Sequence, residues 1–249
     1  ITPNAKIVDS DIYKAVIRVT ERMNYTDVQK ILDKSDEDVL KKYEKYISHF
    51  QLMAELANIL KNKRKENGYL NLDILESKII LDENGFAIDV MKYETYFSNE
   101  IIEQFMLSAN ETVAEKFYWL QAPFIYRNHE APDLDKVKDL NKTLSNFGYK
   151  IKVSKEDIIY PNEFAKILED VKGKDEEKVV SNIILRTLRV AKYEAINKGH
   201  FGIASKYYCH FTSPIRRYPD LFIHRIISKY LEQDYNVNEF FIKKYSKRA

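Results

Sequence analysis

Apolar residues recur along this chain at two spacings, and the changes between them divide it into elements. Residues 5–20 are rich in Ile and Val and alternate, with Ile7, Val8, Ile12, Val16, Ile17 and Val19. That pattern predicts one or two strands. Thr26 is placed to cap a short helix through Leu32. Ser35, Asp36, Glu37 and Asp38 then read as a helix start with acid in the first turn. Leu40, Tyr43, Ile47, Phe50, Ala54 and Ala57 follow at helical spacing, which predicts one helix to about Arg64, ending before Gly68. Residues 70–75, 78–81 and 86–93 read as short strands, and Asp82-Glu83-Asn84-Gly85 as a hairpin turn between the last two.

The second half is mostly helical. Ser98 is predicted to cap a long helix through about Leu120, with Ile102, Phe105, Ala109, Val113 and Phe117 on its buried face. Residues 124–127 read as a strand, and Asp133-Leu134-Asp135 as the start of a helix. Helices follow over 161–171 and 175–192, the latter with Val179, Ile183, Ile184, Leu188 and Ala191 inward, and another near Asn238. There is no repeat, low-complexity tract or linker. The expectation is one α/β domain of the α+β type over 1–249, helix-rich, with a mostly antiparallel sheet packed against long helices.

The segment 210–225, His-Phe-Thr-Ser-Pro-Ile-Arg-Arg-Tyr-Pro-Asp-Leu-Phe-Ile-His-Arg, changes the picture from fold to chemistry. Ser213 and Pro214 suit the N-cap and first position of a helix. On that reading Arg216 and Arg217 lie in a first turn, where amides are unpaired and the dipole is positive. Two guanidinium groups there could clamp a phosphate, or they could be ordinary solvated or ion-paired side chains. Pro219 would kink such a helix, and Asp220 and His224, four apart, would pair on its face.

Composition narrows the classes. With 45% hydrophobic and 31% charged residues the chain is an ordinary globular one. A net charge of +2 is too small to mark a polyanion binder, so a nucleic-acid site must be local. One cysteine, Cys209, excludes an internal disulfide and suits a reducing cytoplasm. No apolar run is long enough to span a membrane. The basic run Lys61, Lys63, Arg64 and Lys65 reads as a solvated helix end that complements the dipole. His200, His210 and His224 match no zinc spacing.

Residues 210–225 closely resemble the C-terminal signature of the ribonuclease II/ribonuclease R family, and residues 199–204 and 207–210 before it fit the ribonuclease R branch. Three more stretches match in order: Met-Asn-Tyr-Thr-Asp-Val at 23–28, Ile-Ile-Glu-Gln-Phe-Met-Leu-Ser-Ala-Asn-Glu at 101–111, and Pro-Phe-Ile-Tyr-Arg-Asn-His-Glu-Ala-Pro at 123–132. The resemblance implies a 3′-to-5′ exoribonuclease that hydrolyses single-stranded RNA to 5′-monophosphates with Mg2+. It implies Arg216 as the arginine that contacts the scissile phosphate, with Arg217 and Ser213 as further RNA contacts. Tyr25 and Glu103 match positions linked to substrate selection, Tyr25 by stacking and Glu103 by accepting a hydrogen bond from the 2′-hydroxyl. Leu72 stands where the family often has a stacking aromatic. Arg127 and His129 read as buried structural polar residues.

The family's metal ligands are a tight aspartate cluster that has no counterpart in this chain. The chain is therefore expected to be the C-terminal part of the catalytic domain. The aspartate-bearing part, the cold-shock domains and the RNA-binding barrel would lie outside it. The isolated piece would then be an inactive RNA-binding or structural fragment. RNA is the expected partner, with the ribosome or RNA-degradation machinery reached through other domains, and no membrane.

Overall fold

The computed structural model describes residues 1–70, 77–92 and 95–232. The expected strand over 70–75, Leu72 and the helix near Asn238 fall wholly or mostly outside these.

Helix α1, Tyr25–Asp33, starts at Asn24, whose side chain accepts from the Asp27 amide; Thr26 sits inside the helix. Asp36 caps α2, Glu37–Lys42, by accepting from the Val39 amide. The single long helix expected from Ser35 is broken at Tyr43, which leaves the helical region (φ −111°, ψ 22°). Tyr43 is buried at 4% exposure and its hydroxyl reaches Asp27. A tertiary anchor there overrides a helical spacing that contains no Gly or Pro to signal a break. A 3-10 turn at Glu44–Tyr46 leads into α3, Ile47–Asn67, which ends at Gly68 with φ +93°.

Strands β1, Ser77–Leu81, and β2, Ala87–Lys92, form the expected antiparallel hairpin. Asp82 Oδ1 holds its turn by accepting from the Asn84 and Phe86 amides. Its apolar side chains, Ile79, Leu81, Phe86, Ile88, Val90 and Met91, stay exposed. Helix α4 spans Phe97–Trp119 and starts at Tyr96, not Ser98. Its buried face carries Ile101, Gln104, Leu107, Asn110, Val113, Ala114 and Phe117. The predicted stripe had the right period but a shifted phase at its N-terminal end, because Gln104 and Asn110 turn inward as polar partners of other segments.

Strand β3, Tyr126–Asn128, pairs antiparallel with β4, Lys192–Glu194. The helix expected over 175–192 would have reached the first residue of β4, Lys192. Between them lie α5, Leu134–Leu144, α6, Pro161–Asp170, and α7, Glu177–Thr187. Helix α7 buries Val180, Ile184 and Thr187 and leaves Val179 exposed. Helix α8, Tyr218–Leu231, closes the described chain. Residues 5–20 form no strand, with Val16 and Ile17 fully exposed and only Ile12 against a core. Strand-like alternation needs a hydrogen-bonding neighbour to become a strand, and no described segment supplies one.

Two apolar cores result. One gathers Val137, Leu144, Phe164, Val180 and Ile184 from α5, α6 and α7. The other joins Val113 and Phe117 of α4, residues 124–126, Cys209, and Phe222, Ile223 and Ile226 of α8. Arg64, buried near the end of α3, donates to both carboxylate oxygens of Glu111 at 2.7 Å and to Gln104 at 3.0 Å, tying α3 to α4. It is thus not a solvated end of the basic run. No helix among the described residues is long and apolar enough to cross a membrane.

Candidate nucleic-acid phosphate site

The arginine segment is held in place from two sides. On one side stands Asn110, fully buried on α4. Its Oδ1 accepts from the Phe211 and Thr212 amides at 3.0 and 3.3 Å, its Nδ2 donates to the Tyr208 hydroxyl at 3.2 Å, and its carbonyl accepts from the Cys209 thiol at 3.2 Å. One residue of α4 therefore satisfies two backbone amides and two side chains of an irregular segment inside a core. Cys209 is a small buried residue, and burial raises its thiol pKa.

On the other side stands Asp220, with no exposed surface. Its Oδ1 accepts from the Ser213 amide at 2.7 Å and from Arg217 Nη2 at 2.7 Å. The Ser213 carbonyl accepts in turn from the Arg216 and Arg217 amides. Residues 213–216 thus form a turn, and α8 begins only at Tyr218 with Arg217 as N-cap. This corrects the expected start at Pro214. Beginning at Tyr218 puts Pro219 in the first turn, where its missing N–H costs nothing, instead of mid-helix, where it would break a bond. The expected Asp220–His224 pair also does not form. His224 stacks on Phe211 and donates from Nε2 to the Phe211 carbonyl at 3.0 Å. Asp220 pairs instead with Arg217, three residues before it, through a charge-assisted hydrogen bond.

Arg216 projects into solvent from this turn, and no carboxylate among the described residues pairs with it. Arg217 is spent on Asp220. The Arg217 Nε, Asp220 Oδ2 and Thr212 Oγ1 atoms nearby are buried without a protein partner. Ser213 contributes its backbone to the turn.

Behind the turn lies an aromatic and imidazole layer. The Tyr193 hydroxyl and His210 Nδ1 are 2.6 Å apart, and the Arg127 guanidinium lies 4.5 Å from the centre of the Tyr193 ring. Burial, reinforced by Arg217 and Arg127, pushes His210 down to about 4. Burial likewise pushes His200 to about 3, with His129 and Arg127 adding to it. Both rings are therefore neutral near pH 7. His129 Nδ1 accepts from the Gly202 amide at 3.1 Å. Asn110, Tyr193 and Asp220 were not singled out as site-builders by the sequence, where 18 tyrosines hide any one of them.

Tyr25 and Glu103 are joined to the turn through α4. Ser98 Oγ donates to the Tyr25 carbonyl at 2.8 Å, seating the start of α1 on the start of α4 and leaving the Tyr25 side chain at the surface. Glu103 Oε1 accepts from the Tyr69 hydroxyl at 3.1 Å, and burial followed by Glu103 raises the Tyr69 pKa. Glu103 and Asn110, seven residues apart, share one helix face about 10 Å from each other. The five residues thus fall into a cluster of three, Ser213, Arg216 and Arg217, and two apart from it, Tyr25 at the start of α1 and Glu103 on α4. Among the described residues no group of three His, Cys, Asp or Glu side chains could hold a metal ion.

The RNB domain family matches residues 1–233. Ribonuclease R of Thermotoga maritima is 40% identical over 245 residues, covering 98% of this chain and 34% of that protein. Ribonuclease R of Aquifex aeolicus is 42% identical over 221 residues, covering 89% of this chain and 31% of that protein. The structure of Mycoplasma genitalium RNase R in complex with ribose methylated single-stranded RNA superposes with a TM-score of 0.77 at 29% identity, over 88% of this chain and 34% of that one. The chain spans about a third of the length of the curated relatives it matches. A match this long, on a chain whose arginine turn, Asn110 brace and α4 spine are built together, shows that the chain belongs to the RNB domain family.

Proposed function

We propose that this chain is the phosphate-contacting part of the catalytic domain of a 3′-to-5′ exoribonuclease. The enzyme would hydrolyse single-stranded RNA to 5′-monophosphate nucleotides. The observation that carries this reading is Arg216. Among the described residues no carboxylate pairs with it, and it sits on a turn that Asp220 and Asn110 hold from beneath. As a phosphodiester is attacked, charge grows on the equatorial oxygens of phosphorus. A guanidinium fork stabilises that charge without changing its own protonation. Glu103, steadied on one oxygen by Tyr69, has its other oxygen to accept from a ribose 2′-hydroxyl, a group only RNA carries. The exposed Tyr25 ring can stack on a base.

Magnesium belongs to this reading, with ligands outside the chain. The side chains described do not converge on a metal position, so no step is assigned to one here. A cytoplasmic setting is supported by the lone, reduced and buried thiol of Cys209.

Arg216→Lys in the gene-encoded protein is the test. Lysine keeps the charge but loses the fork, so turnover on single-stranded RNA should fall about 100- to 1000-fold, with RNA affinity nearly unchanged. Steady-state rates and a binding titration separate the two. A turnover number equal to the parent's would remove Arg216 from the chemistry.

A further inference from the structure

Arg127 lies on β3 directly across from Tyr193 on β4. Its amide donates to the Tyr208 carbonyl at 2.9 Å, stitching β3 to the segment that runs into the arginine turn. The guanidinium covers the Tyr193 ring at 4.5 Å, and the hydroxyl of that ring reaches His210, three residues before Ser213. The β3–β4 ribbon therefore backs directly onto the turn that presents Arg216.

The charges at this junction do not balance. Arg127, Arg216 and Arg217 all act electrostatically on the Tyr193 hydroxyl, and among the described residues Asp220 is the carboxylate that opposes them. Asp220 is already committed to Arg217. His210 is neutral and offers no compensation.

Other cations near this ribbon are treated differently. Arg189 is paired with Glu130 and Asp133, and Lys198 with Glu130 and Glu194. The basic run at the end of α3 is paired throughout: Lys61 with Glu100, Lys63 with Glu66, Arg64 with Glu111 and Lys65 with Glu169. Acids are thus close at hand, yet none among the described residues meets Arg127, which is half-buried. Partly desolvated like charges without a counter-charge are costly, and an arriving anion relieves that cost.

We propose that Arg127 binds a second phosphate of the RNA strand, beside the one met by Arg216, so that the β3–β4 ribbon and the 213–217 turn together cradle two phosphates. The proposal rests on the RNA reading above. The ligand class is a phosphodiester chain, which a planar guanidinium grips through two parallel hydrogen bonds. Tyr193 holds the plane of Arg127 from below by cation–π contact, and His210 holds Tyr193.

The test is binding of a single-stranded RNA oligonucleotide to the full chain with divalent metal chelated, so that the strand persists. Affinity is read against salt concentration for the parent and for Arg127→Met. Each phosphate neutralised on a single strand contributes about 0.7 to the slope of log affinity against log salt. Arg127→Met should lower that slope by about 0.7 and weaken binding about tenfold in low salt, whatever the RNA sequence. Arg127→Lys, which keeps the charge, should retain the parent slope. A merely structural Arg127 would lower the unfolding temperature of the Met variant and leave the slope alone, and that result overturns the proposal. If Arg127→Met does not fold, Arg127→Gln keeps a planar polar head over Tyr193, and the same slope criterion applies. A parent chain that does not bind the oligonucleotide overturns the RNA reading, and this inference with it. A parent that binds, with unchanged slopes in the variants, overturns only the role of Arg127.

Discussion

Asp220 is completely buried, and two things depend on it: the charge of Arg217 and the amide of Ser213. The Arg217 side chain keeps only 19% of its surface in water. Removing one member of such a pair leaves the other charged and poorly solvated, which typically costs about 3–5 kcal/mol. Asp220→Ala should therefore lower the unfolding free energy in urea by about that much. Asp220→Asn retains an acceptor for Ser213 and should fall in between. A loss under about 1 kcal/mol in the Ala variant would mean that Arg217 finds water or another partner. Sequence spacing paired Asp220 with His224, and the fold pairs it with Arg217. The outcome lay in the fold, which sets Arg217 against the buried carboxylate and gives His224 the Phe211 carbonyl instead.

At the scale of elements, helix ends show how far local chemistry reaches. Gly68 stops α3 in the left-handed region, as the sequence placed it, but the neighbour that crowds it is remote. A Cβ built there would lie 2.2 Å from Asn162 Oδ1 and 2.6 Å from the Asn162 amide, at the start of α6. Gly68→Ala thus meets both a positive φ and a rigid backbone. It should reduce stability by roughly 1–3 kcal/mol, seen as a lower thermal midpoint with helical circular dichroism intact below it. A neutral result would show that the α3–α6 junction gives way freely. The hairpin at Asp82 and the caps at Asp36 and Gly68 were legible because their determinants lie within a few residues. Tyr43, β4 and the late start of α8 were not, because a buried hydroxyl, a strand partner far along the chain in Tyr126↔Glu194 and a turn held by Asp220 are distant determinants.

For the whole molecule, the buried imidazoles tie stability to pH. Burial holds His200 at about 3 and His210 at about 4, and lowers His129 as well. In the unfolded chain histidine titrates near 6.5. The unfolded state therefore binds more protons than the fold between those values. This contribution to stability is complete above about pH 6.5 and is lost as pH falls toward 4 and then 3. The urea midpoint should drop steadily from pH 7 to pH 4.5, and His200→Gln with His210→Gln should flatten that slope. A midpoint independent of pH over this range would contradict the buried, neutral assignment.

By itself the sequence determined that the chain is helix-rich with antiparallel hairpins. It also picked out Arg216 and Arg217 in the segment on which the proposed function rests. Period, caps and turn residues act over a few positions, so they can be read without the fold. Only the tertiary structure decided that α8 begins after the arginines and that Asn110 and Asp220 brace them. It alone placed Arg127 of a distant strand beside the same turn, with no counter-charge among the described residues. Those outcomes depend on which groups share a buried space, because burial strengthens each charge and penalises each unpaired donor, and no local spacing records who shares it.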